Sequence, residues 1–147
     1  MSIATERRFA LRQAQVCRLG HVVLRVTSLR SSEAWYKARF GLLTSDEIAR
    51  DAGNGAMAMF LRLDRGPVHT DHHSLFLMEA DTAGFHHAAF EVRDLDDLMV
   101  GHDRLREAVY RDHRGVGRHL LGGQVFDYWC DPWGHVLEHW TDGDVFD

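Results

Sequence analysis

Two histidines in this sequence occupy matching places in a repeated stretch of chain. Residues 21–29 read HVVLRVTSL and residues 87–95 read HAAFEVRDL, so His21/His87, Leu24/Phe90, Val26/Val92 and Leu29/Leu95 recur at equal offsets. Each histidine begins the first strand of its own copy, and a duplicated unit sets two such residues facing each other across a pseudo-twofold axis. A third group stands near the C-terminus: Glu138, inside HVLEHW (135–140), is flanked by apolar residues on a strand-like run. A carboxylate on such a strand is costly to bury unpaired, and a metal ion supplies the compensation. Two neutral imidazoles and one carboxylate form the 2-His-1-carboxylate set, which leaves positions open on one side of a non-haem Fe(II). Taken singly, each histidine reads as a hydrogen-bonded core residue and Glu138 as a surface acid beside His139. The repeat turns three ordinary residues into a candidate ligand set.

The elements that must position them follow from periodicity and punctuation. After the first strand comes a helical stretch, SSEAWYKARFGL, with Ser31 or Ser32 as N-cap and Gly41 as its stop. Strand-like AMAMFLRL (56–63) and HSLFLME (73–79) follow, joined by the turn-rich DRGPVHTD. The second copy repeats the order. DLDDLMVGHDRLREAV is a helix with Leu95, Leu98, Met99, Leu105 and Val109 near one face. GQVFDYWCD (123–131) and HVLEHW are strands joined at Pro132-Trp133-Gly134. The expected organisation is therefore an arginine-rich arm or linker, residues 1–17 and helical in part, then a strand–helix–strands module over 18–80 and another over 84–142.

Bulk properties exclude several classes. A chain of 147 residues with a net charge of −5 lacks the basic footprint of a nucleic-acid partner. Cys17 and Cys130 have no CxxC spacing and do not form a disulfide framework. No apolar run approaches the ~18 residues of a membrane helix, and MSIATERRFALRQAQV lacks the apolar stretch of a secretory signal. A cytoplasmic protein with no membrane partner is expected.

With these residues in view, the sequence resembles the vicinal-oxygen-chelate superfamily, through GHVVLRV, WYKARFGL, FHHAAFEV and DPWGHVLEHW. Within it, the likeness is nearest to the catalytic, C-terminal half of type I extradiol dioxygenases such as dihydroxybiphenyl and catechol 2,3-dioxygenases, over roughly residues 18–142. The resemblance implies an α+β fold of two tandem βαβββ modules forming a shared, partly closed sheet around a metal site. It implies His87, the second of its HH pair, as a ligand rather than His86, and Glu138 after the DP-x-G turn as the carboxylate ligand. It further implies His73, the second histidine of HHSLFL, as the acid–base residue. His119 of the Gly117-Arg118-His119 motif and Tyr128 become residues that bond substrate oxygens. Fe(II) or Mn(II), a catechol-type diol and O2 are the implied cofactor and reactants, with cleavage beside the hydroxyls and a homo-oligomeric assembly. Two departures stand out. The connection between His73 and His87 is short, and the family's inactive N-terminal half is absent, as in a single-domain member or a piece of a longer chain.

Other readings remain open at this point. A glyoxalase- or epimerase-like isomerase on the same scaffold needs a second carboxylate from the first module, for which Glu79 is the nearby candidate. A ligand-sequestering resistance protein needs no metal. Pocket walls are not placed, although Trp35, Phe60, Phe85, Phe126 and Trp129 are available aromatics; His86 is a candidate partner for His87, while His72, His113, His135 and His139 read as structural.

Overall fold

The computed structural model describes residues 12–50 and 55–146. Residues 1–11, with the helical stretch expected in the arm, lie outside the described residues. The first half runs β1 (Val16–Val26), α1 (Leu29–Phe40), β2 (Leu43–Ala49), β3 (Ala56–Arg62), the short β4 (Thr70–Asp71) and β5 (Leu75–Glu79). The second runs β6 (Gly84–Val92), α2 (Leu95–Glu107), β7 (Asp112–Arg118), β8 (Val125–Cys130), β9 (Val136–Thr141) and the short β10 (Val145–Phe146). Eight strands form one sheet in the order β2-β3-β5-β1-β6-β9-β8-β7, while β4 and β10 pair separately. The central pair, β1 and β6, is antiparallel, and each is flanked by the last long strand of its own half in parallel, β5 and β9. Read outward from that seam, the order is the same in both directions. This is the pseudo-twofold that the repeat predicts, in an α+β fold.

Each half buries one face of its strands under its own helix. Val26, Leu29, Leu42, Met59, Leu61, Leu75 and Leu77 form the core beneath α1, and Val92, Leu98 and Val125 form the one beneath α2. Alternation leaves the opposite face, carrying Phe60, Phe76 and Met78, to line a cavity. Burying one leucine of this kind contributes about 1.5–3 kcal/mol.

Both helix starts show what alternation alone could not decide. The N-cap of α1 is Ser28, not Ser31 or Ser32, and its hydroxyl bonds Ser31 Oγ at 2.9 Å rather than a helix N–H. Starting one turn earlier carries Leu29 into the core. The stop at Gly41 is as expected, with φ 63° and its N–H bonded to Lys37 O at 2.9 Å. In α2, Asp94 caps the helix by accepting from the Asp97 N–H at 2.7 Å. Its buried side is Asp97, Leu98, Val100 and Gly101, whereas Leu95, Met99 and Val109 are exposed. The reason lies in residues 12–15, which run along this helix. A side chain at Gly101 would strike Ala14, and the Asp97 carboxylate accepts the Gln15 N–H at 2.6 Å and pairs with Arg12. Strands β2 and β7, which the residue pattern did not separate out, are the two edges of the sheet. Their polar, largely exposed sequences carry no apolar alternation to reveal them. Cys17 and Cys130 are both free. Among the described residues no helix is long and apolar enough to cross a membrane.

Candidate metal centre and the cavity above it

One row of residues crosses four strands on the cavity face. Tyr128 of β8 stands opposite Glu138 of β9, Glu138 opposite Ala89 of β6, and Ala89 opposite His21 of β1. Registered neighbours point to the same face. Ala89, 0% exposed, contributes only a methyl group, so the two long side chains flanking it lean over it and meet. His87, two residues back along β6, shares the face and closes the group from one side. His21 Nε2 and His87 Nε2 lie 3.2 and 3.1 Å from Glu138 Oε2. One ligand atom from each of the three residues falls within a circle of separations no wider than 4.8 Å. The sequence-predicted set is thus brought together, on one face and at one point.

The donors suit a cation. Glu138 is 0% exposed, and both its oxygens and His87 Nε2 are buried without an aligned hydrogen bond. Buried polar atoms are seldom left so, and two imidazole nitrogens converging on a carboxylate are the donor types that Fe(II) and Mn(II) accept. Burial alone would push the Glu138 carboxyl up. The imidazoles of His119, His21 and His87 outweigh it and hold the group well below the usual carboxylate range. Burial also lowers His21, against the opposing pull of Glu138. His21 is therefore disposed to be neutral, as ligation requires. His86 Nδ1 lies 2.8 Å from His87 Nδ1, an outer contact of the kind that turns a ligand's other nitrogen toward the ion.

The remaining three expected residues surround this point. The His73 ring centroid is 4.2 Å from that of His21. Burial first, and then the neighbouring imidazoles of His21 and His72, push His73 well below its ordinary value. His119 Nε2 is 3.1 Å from Tyr128 Oη and 3.6 Å from Glu138 Oε1. Burial, reinforced by the Glu138 carboxylate, pushes the Tyr128 phenol well above its usual range, so it remains a protonated donor.

The first half presents the apolar counterpart of this row. Val23, two residues after His21, matches Ala89, two residues after His87. Val23 stands beside Phe76 on β5, and Phe76 beside Phe60 on β3. Phe76 therefore occupies the place that Glu138 holds in the second half, and Phe60 the place of Tyr128. The two phenyl rings stack, with centroids 4.2 Å apart and planes at 19°. Glu79, the nearby candidate for a second acid, lies on the other parity of β5 and pairs with Arg50 at 3.2 Å. The place matching Glu138 is therefore filled by a phenyl ring and not by a second acid.

A cavity of about 720 Å³ opens over the centre, walled by Phe60, Phe76, Met78 and Phe126 with His73, His119 and Tyr128 at its floor. Ile48 from β2 and Arg118 from β7 line the same space from opposite edges of the sheet, so the sheet curls around it. Phe60 and Phe126 are wall residues as the aromatic census allowed. Trp35, Phe85 and Trp129 are not: Trp35 packs against Tyr36 on α1, Phe85 lines a separate hollow with His86 and His135, and Trp129 faces the helix side against His139. Phe76, Met78 and the Leu120–Leu121 loop were missed; for Phe76 the parity of HSLFLME could have found it. Of the other histidines, His135 bonds Asp131 and His139 lies on the helix side, whereas His72 proves to contact His73.

Comparison with known proteins agrees with this fold. The family model described as the Glyoxalase/Bleomycin resistance protein/Dioxygenase superfamily matches residues 18–139. The chain is 34% identical over 127 residues to Metapyrocatechase 2 of Cupriavidus necator, covering 86% of this chain and 37% of that protein. Solved structures share the fold as well. The 2,3-dioxygenase LapB from Pseudomonas sp. KL28 aligns with a TM-score of 0.81 at 17% identity, over 90% of this chain and 44% of that one. The Mn(II)-bound glyoxalase from Novosphingobium aromaticivorans aligns at 0.78 and 23% identity, over 90% and 40%. The chain spans well under half the length of each.

Proposed function

The chain belongs to the glyoxalase/bleomycin resistance protein/dioxygenase superfamily, and from that premise we propose that it is a metal-dependent extradiol dioxygenase acting on a catechol-type diol. His21, His87 and Glu138 hold one Fe(II) or Mn(II). The metal, when bound, supplies a Lewis acid that lowers the pKa of a coordinated hydroxyl and gathers diol and O2 at one centre. The rest falls to side chains. His73, neutral and beside His21, takes the proton of a diol hydroxyl, a role worth about 10²–10⁴ in rate. Tyr128 donates its phenolic proton toward a substrate oxygen, with His119 Nε2 as its neighbour at 3.1 Å. The stacked Phe60–Phe76 pair and Phe126 offer ring faces to a flat aromatic substrate and keep water from its apolar side.

The observation that carries this reading is the convergence of two imidazoles and one buried carboxylate beneath a cavity with one polar and one aromatic side. Phe76 in the place of a second acid favours ring cleavage over isomerase chemistry, and a metal-free sequestering protein would have no use for a fully buried Glu138 on which two imidazoles converge. Anaerobic reconstitution with Fe(II), followed by oxygen uptake over a panel of catechols and dihydroxybiphenyls, tests it. One metal per chain and one O2 consumed per diol are expected. Metal retained with no uptake across the panel would refute ring cleavage, and no metal retained would refute the centre.

A further inference from the structure

His72 has no part in the reading above, yet it is among the most enclosed side chains of the chain at 1% exposed. Phe60 and Phe146 pack on its ring with centroids 4.9 and 5.3 Å away. Its backbone N–H donates to Asp144 O at 3.0 Å. Gly122 backs it, where an added Cβ would come within 2.9 Å of Nδ1 and φ is +79°. Inside this casing both ring nitrogens have partners. Nε2 lies 2.8 Å from Asp46 Oδ2, and Nδ1 lies 3.0 Å from His73 Nδ1. Asp46 comes from β2, opposite Phe60 in register, and its carboxylate reaches the ring from a partly exposed position.

The direction of these bonds is dictated by inventory. A carboxylate only accepts, so a neutral His72 carries its proton on Nε2. Its Nδ1 is then a lone pair, and the bond to His73 forms only if His73 donates from Nδ1. A neutral imidazole has one proton, so His73 Nε2, its remaining nitrogen, is left bare. We propose that Asp46 and His72 are positioning residues that lock His73 in the Nδ1–H tautomer, so that it meets the substrate as a proton acceptor. The inference rests on the assignment of His73 as the base, and it gives that residue the tautomer the role requires.

Imidazole ¹⁵N chemical shifts of the full, metal-free chain at pH 8 read the tautomers directly, whether or not the protein cleaves any ring. The wild type should show His72 protonated at Nε2 and His73 at Nδ1. Asp46→Ala removes the acceptor that sets the direction, and His73 should become a mixture of tautomers. In the Fe(II)-loaded enzyme kcat should fall about 10–100-fold, with KM and Mn(II) affinity within about twofold, and Asp46→Glu should recover the wild-type spectrum. His72→Phe, which keeps the ring's shape within its aromatic casing, should likewise release His73. A wild-type His73 protonated at Nε2, a doubly protonated His72, or unchanged His73 tautomers in both variants would overturn the proposal. A panel of diols that all fail to react leaves these spectra as they are and bears only on the function proposed above.

Discussion

Replacing Ala89 with leucine should weaken metal binding although Ala89 is not among the three residues that converge on the centre. The backbones of β1 and β9 are two strand spacings apart, about 10 Å, and His21 and Glu138 close that gap to 3.2 Å over the alanine methyl. Leucine adds three carbons at a site that is already 0% exposed, directly between the two side chains. Overpacking of this kind costs about 1–3 kcal/mol. At about 2–4 °C per kcal/mol for a chain of this size, the midpoint of thermal unfolding should drop by about 2–12 °C. Because a folded variant must part the ligands to admit the side chain, Mn(II) affinity should fall by about 10–100-fold, the loss seen when the groups that orient ligands are disturbed. Calorimetric titration with Mn(II), beside circular dichroism melts, measures both. Ala89→Gly is the control: it should keep its affinity while giving up about 0.5–1 kcal/mol of stability. An Ala89→Leu chain that stays folded and binds Mn(II) as tightly as the wild type would refute the spacer argument.

Two further outcomes follow from the same geometry. At a Mn(II) concentration of about 100 Kd the wild type should gain about 2.7 kcal/mol, raising its melting midpoint by about 5–11 °C; Glu138→Gln at the same concentration should gain almost nothing, and an equal shift would place the ion elsewhere. On the surface, Glu33 is held down to about 2 by Lys37, Arg30 and Thr44, against the opposing effect of burial. Since its folded value lies below the ordinary one, its contribution is present above about pH 4.5 and is lost as pH falls toward 2. After discounting for screening, Glu33→Gln should cost about 1 kcal/mol in urea unfolding at pH 7 and progressively less at pH 3; a penalty that stayed constant with pH would exclude the charge as its source.

Much of the centre could be read from the chain because it is written twice. His21 and His87 stand at equal offsets in a repeat, and Glu138 is a lone acid on an apolar strand, so symmetry and alternation suffice to bring them together. The walls are a different matter. Phe76 takes its importance from lying across from Val23, a relation fixed by strand register and not by local composition. Trp129 and Tyr128 are adjacent in sequence and differ only in which face they present. The Asp46–His72 pair joins residues 26 apart through β2, an edge strand whose polar sequence gives no sign of its existence. Ser28 was passed over as the helix start because the burial of Leu29, a tertiary demand, sets it.

The seam between β1 and β6 carries one more implication. One donor comes from the first repeat and two from the second, so neither copy, taken alone, presents a complete set. An ion held at that seam acts as a rivet: peeling one half away from the other dismantles its cage. Occupancy should then weld two hydrophobic cores that are otherwise served by different helices into one cooperative melting unit, and the proposed metal centre would double as the joint that keeps the duplicated halves in step.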